Sequence, residues 1–90
     1  MEQLYQETVG QLADRWTVLM NELDRYKSGH YPDLLCVEIL RLVREAEHLL
    51  VPDPFEADLL LTARALVEDC NPKIAMLKLH EAIDGRLSGR

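Results

Sequence analysis

The chain has 90 residues, 48% of them hydrophobic, and sixteen acidic side chains against ten basic ones give a formal net charge of −6. That length suits one domain with a thin core, for which self-association would be a help. An acidic chain with no clustered Lys and Arg disfavours nucleic-acid binding, no apolar run approaches the length that spans a bilayer, and Met1-Glu2-Gln3 does not start a signal peptide. A cytoplasmic, reduced protein is the expectation, and two distant Cys do not make a disulfide scaffold.

The first predicted helix runs from about residue 2 to 27. Tyr5, Val9, Leu12, Trp16, Leu19, Leu23 and Tyr26 alternate at spacings of four and three, which makes one apolar seam over three heptads. Gly10 interrupts it and predicts a bend, a close backbone approach or a tolerated surface position. Gly29 and Pro32 end this helix.

The second helix is predicted over 33–50. Leu35, Ile39, Leu42, Ala46 and Leu49 form one apolar stripe, and Cys36, Leu40, Val43 and Leu50 form another beside it. So wide a face predicts more than one packing neighbour. Glu38, Arg41, Glu45 and His48 line the wet side, where Arg41 and Glu45 have i,i+4 spacing.

Val51-Pro52-Asp53-Pro54 is a short, stiff link. Asp53 before Pro54 reads as an N-cap with proline at the first helical position. The third helix is predicted over 54–70, with Phe55, Leu59, Ala63, Leu66 and Cys70 as its core stripe. Asn71-Pro72 opens a fourth over 72–87 that buries Ile74, Ala75, Leu77, Leu79, Ala82 and Ile83. Residues 51–70 carry five acids against Arg64, whereas the last twenty residues are net positive, so these two helices are expected to attract each other.

Four helices with short connections predict an all-α, antiparallel four-helix bundle with the long first helix as its spine. The first helix is too long for its neighbours, and the excess falls at its N-terminus. Leu4, Tyr5, Val9, Leu12 and Trp16 are therefore the interface candidates, facing a second copy of the chain or another protein. If the helix instead breaks at Gly10, its first turns fold back.

Chemistry is sparse. Glu45 and His48 have the Glu-x-x-His spacing used by di-iron bundles, which need two such motifs and further Glu pointing inward. His80 and Asp84 form another i,i+4 pair. Cys36 and Cys70 fall at the same end of an antiparallel bundle, where they are either small buried hydrophobes or partners in a bridge. There is no phosphate loop, nucleophile motif or zinc spacing, so no cofactor, metal or catalytic role is expected.

Two family resemblances attach to specific residues. Leu59, Ala63, Leu66, Ala75, Leu79 and Ala82 occupy the small-and-large positions of a helical hairpin, so residues 59–82 resemble one tetratricopeptide-like repeat. Cys70 and Pro72 stand where that family prefers Gly and Tyr. The resemblance implies an alternative architecture of two stacked hairpins, with a partner segment held between helices. Arg41 and His48, separated by six residues, resemble the Arg and His pair of the HEPN group of helical nucleases. That implies RNA cleavage as an alternative function, and a metal-binding bundle is another. The reading that best fits the whole chain is a non-catalytic interaction module, adaptor or small chaperone.

Overall fold

A computed structural model of the chain describes residues 2–27, 30–69 and 71–87, with the side chains of residues 2–7, 86 and 87 outside the description. Four helices follow one another: α1 (Glu2–Leu23), α2 (Asp33–Leu49), α3 (Pro54–Glu68) and α4 (Pro72–Leu87). Each packs on its neighbour in sequence, and α4 closes the ring on α1. Helices α2 and α4 meet across the short diagonal, while among the described residues α1 and α3 make no contact. The result is a closed four-helix bundle. Two stacked hairpins would leave α1 and α4 apart, so that alternative does not hold.

Helix α1 stops at Leu23, one turn earlier than its seam predicts. Its last turn tightens: Arg25 N–H donates to Glu22 O and Tyr26 N–H to Leu23 O, both at 3.1 Å. Such three-residue bonds leave no register for another helical turn. Tyr26 thus leaves the seam and is exposed, and Tyr31 packs on the core from the connection instead. Gly10 neither breaks the helix nor admits a close neighbour among the described residues. An added Cβ there would meet nothing within 4 Å, and α1 runs through it unbroken.

The core is a single cluster. Val9, Leu12 and Leu23 of α1 join Ile39, Leu42, Val43 and Ala46 of α2, with Leu50 just beyond its end. Leu60, Ala63 and Val67 of α3 meet Ala75, Met76, Leu79, Ala82 and Ile83 of α4. Ala63, Ala75 and Ala82 keep the α3 and α4 backbones close, as a tight helical hairpin requires.

Several expected core residues fall outside this cluster. Phe55 is 65% exposed, Leu77 52% and Ile74 47%, whereas Met76 is fully buried. Phe55 sits in the first turn of α3, one turn before the buried Leu59 and Leu60. In α4 the apolar residues surround the helix, and the three neighbours select the face that carries Ala75, Met76, Leu79 and Ile83. Leu49 is 40% exposed, because Leu50 takes the inward position at the end of α2.

The start of α3 follows its sequence signal. Asp53 Oδ1 accepts from Glu56 N–H at 2.8 Å, and Asp53 N–H donates to Glu56 Oε1 at 3.2 Å, which completes a capping box ahead of Pro54. At the other end, Asn71 N–H reaches back to Leu66 O at 2.7 Å and ties the turn into α4. The expected attraction between α3 and α4 is not made by ion pairs among the described residues. Lys73 pairs with Asp24, in the turn after α1, and Arg64 with Glu47 of α2, so neither cation pairs between α3 and α4.

Candidate functional site: the first turns of α1 and the outer face of α2

Helix α1 is the longest element, with 22 residues against 17 in α2, 15 in α3 and 16 in α4. Its register follows from three pairings. Lys73 Nζ lies 3.0 Å from Asp24 Oδ1, Trp16 Nε1 donates to Met76 O at 2.7 Å, and Arg15 pairs with Glu45. Counting outward from these along antiparallel helices, Leu49 comes level with α1 at about position 11 of the chain, and Leu87 with a point between about positions 5 and 10. Among the described residues the backbone of α1 therefore extends about two turns past the last helical residue of α2, and about one to two turns past that of α4.

The predicted interface residues separate into groups. Val9 and Leu12 are each only 2% exposed, so they belong to the core and not to an unpartnered face. The physical reason is length: α2 and α4 together still cover the third turn of α1. Trp16 is half-buried against α4, with its ring centroid 4.7 Å from that of His80. The side chains of Leu4 and Tyr5 lie outside the described residues. In sequence Tyr5 continues the heptad of Val9, Leu12 and Trp16.

The outer face of α2 carries a groove of about 560 Å³. Its described lining comes from two adjacent helical rows: Val37, Arg41, Glu45 and Leu49 in one, and Leu40, Arg44 and His48 in the other. Arg41 Nη1 donates to Glu38 Oε1 at 3.2 Å. The expected Arg41–Glu45 pair is not made, because Glu45 turns to Arg15 on α1. A smaller groove beside it, about 310 Å³, is lined by Asp14, Arg15, Val18, Leu19 and Glu38. Val37 and Leu34 are exposed hydrophobics on this side of α2. Val37 and Arg44 carried no signal as site residues, although the four-residue row through Arg41 already passes through Val37.

Arg41 and His48, the pair that resembles the HEPN motif, do line one groove. They share it with Glu45, and Glu38 holds Arg41 from the side, which neutralises part of the positive charge a phosphate would seek. No three His, Cys, Asp or Glu side chains gather as a ligand set among the described residues. Glu45 is engaged by Arg15, which separates it from His48 as a ligand pair. His80 does not turn to Asp84 alone; the two share a cavity of about 80 Å³ with Trp16 and Thr17. Cys70 lies outside the described residues. Among the described residues no helix is long and apolar enough to cross a membrane. Comparison with protein-family models, with curated proteins and with solved structures finds no match.

Proposed function

We propose that the chain is a non-catalytic protein–protein interaction module of the cytoplasm, an adaptor or small chaperone that presents helical apolar surface to a second copy or to another protein. The observation that supports this reading is the overhang of α1. An isolated helical end gains little from propensity alone and is stabilised mainly by packing an apolar face. First turns that outrun α2 and the described end of α4, with Tyr5 in sequence register with the seam and Leu4 beside it, are suited to a partner helix.

The test is native molar mass by light scattering over a range of concentrations, for the wild type and for a Leu4→Asp/Tyr5→Asp variant. The expected result is a wild-type assembly that becomes lighter in the variant, with helicity by circular dichroism unchanged. An assembly of unchanged mass would overturn the overhang as the contact. Val9→Asp is not an informative variant, because Val9 is part of the core.

A second reading is favoured by one observation, the shared groove of Arg41 and His48. It is an HEPN-like RNA-cleaving domain. Purified protein would then degrade RNA, and His48→Ala would abolish the activity.

A further inference from the structure

The groove on α2 has a self-complementary edge. On a helix, residues four apart form a ridge, and the commonest way for two helices to pack sets such a ridge into the partner's corresponding groove. The row Val37, Arg41, Glu45 and Leu49 is one ridge, and Leu40, Arg44 and His48 form the next; the groove lies between them. The first ridge has an apolar residue at each end and opposite charges in the middle. All four side chains are accessible: Val37 is 50% exposed, Leu49 40%, and the side chains of Arg41 and Glu45 60% and 40%.

A two-fold axis in the groove, beside the midpoint of this ridge, sets the two copies of the ridge side by side and matches every position. Val37 meets the partner's Leu49, and Arg41 meets the partner's Glu45. The same two contacts recur with the roles exchanged, as an isologous interface demands. The groove beside the ridge carries Arg41 and Arg44, so the incoming Glu45 meets charges of opposite sign. Glu45 keeps Arg15 on its own chain and still has a second carboxylate oxygen to offer.

We infer that the outer face of α2 is a self-association surface, on which a second copy of this chain docks antiparallel through Val37, Arg41, Glu45 and Leu49. The inference rests on the reading of the chain as an interaction module, and it assigns a surface and an occupant apart from the α1 overhang.

The ridge allows a charge-swap experiment. In Arg41→Glu the midpoint becomes acid against acid, and in Glu45→Arg it becomes base against base. A mixture of the two variants restores both opposite pairs, because each chain then offers what the other lacks. Sedimentation equilibrium is measured on the wild type, each variant and the mixture, with circular dichroism to confirm that each is folded. The expected result is a wild-type dimer whose dissociation constant rises at least about tenfold in each variant and returns towards wild type in the mixture. Val37→Asp, at an exposed position, weakens the dimer similarly and serves if Glu45→Arg loses its fold with the Arg15 pair.

A wild-type monomer at all concentrations would overturn the inference and leave the α1 overhang to another protein. A dimer indifferent to all these changes but dissociated by Leu4→Asp/Tyr5→Asp would overturn the α2 surface and keep the interaction reading. Saturable RNA binding by a monomer, lost in Arg41→Glu, would overturn both.

Discussion

The indole nitrogen of Trp16 donates to the backbone oxygen of Met76 at 2.7 Å, and its ring rests on His80 one turn further along α4. One side chain of α1 thus grips two successive turns of α4 and fixes the helix pair that closes the bundle. Trp16→Phe retains much of the ring packing and loses the hydrogen bond, at an expected cost of about 1 kcal/mol. Trp16→Ala also removes the buried area and should cost about 3 kcal/mol or more. Urea unfolding of both variants checks the order and the size.

Gly10 lies inside a continuous helix, with open space where a Cβ would stand. Gly10→Ala is therefore expected to stabilise the chain by about 0.5–1 kcal/mol, through helix propensity and a less disordered unfolded state. A midpoint shift to higher urea is the expected observation. A destabilised variant would mean that another chain packs against this position.

Val51 has a φ of 47°, in the left-handed region, immediately beyond the C-cap of α2 at Leu50. That place is normally taken by Gly, and a β-branched side chain is strained there. Val51→Gly should raise stability by about 1 kcal/mol, the left-handed strain exceeding the entropic cost of Gly in the unfolded chain. Thermal melts of this variant and of Val51→Ala separate relief of backbone strain from loss of side-chain area.

Arg64 Nη1 donates to Glu47 Oε2 at 3.2 Å between α3 and α2, while Arg64 Nε and Glu47 Oε1 are buried without hydrogen-bond partners. Half of a two-pronged pair is made. Removing one partner leaves a part-buried charge exposed to desolvation without compensation, and Arg64→Ala should cost about 1 kcal/mol or more. Replacing both by Leu should cost less than either single change. A double-mutant cycle in which the two effects simply add would show that the residues do not interact.

Lys73 has its pKa raised above the ordinary 10.5 by a hydrogen bond to Asp24 and by that carboxylate's charge. A raised folded-state pKa means stability that is fully present below pH 10.5 and is lost as pH climbs through the folded value. Stability should therefore fall at alkaline pH in the wild type, and the part of the fall due to this exposed pair should vanish in Lys73→Met. Equal slopes in the two proteins would exclude the pair as a source.

The helices were legible because their signals are local. Asp53 before Pro54, with Glu56 three residues on, is a complete instruction for starting α3, and periodicity located the inward face of α2 at Ile39, Leu42, Val43 and Ala46. That α1 is longer than its neighbours also followed from counting residues. The seam in α1 held from Val9 to Leu23 and failed at Tyr26, where tight turns end the helix whatever the apolar pattern.

Other features depend on what lies opposite, which no local signal contains. Helix α4 has apolar residues all round, so only its three neighbours could choose Met76 over Ile74 and Leu77 for the core. Closure of α4 onto α1 buried Val9 and Leu12 and engaged Trp16, which moved the candidate interface outward to the first turns. Glu45 could pair with Arg41 on its own helix by spacing, and only the packing of α1 against α2 gave it to Arg15. That choice leaves Arg41 and Glu45 as separate charges on one ridge. Sequence therefore determined four amphipathic helices and their order, because backbone capping and periodic burial act over a few residues. Tertiary structure decided which faces remain open, because burial is settled between elements far apart in the chain.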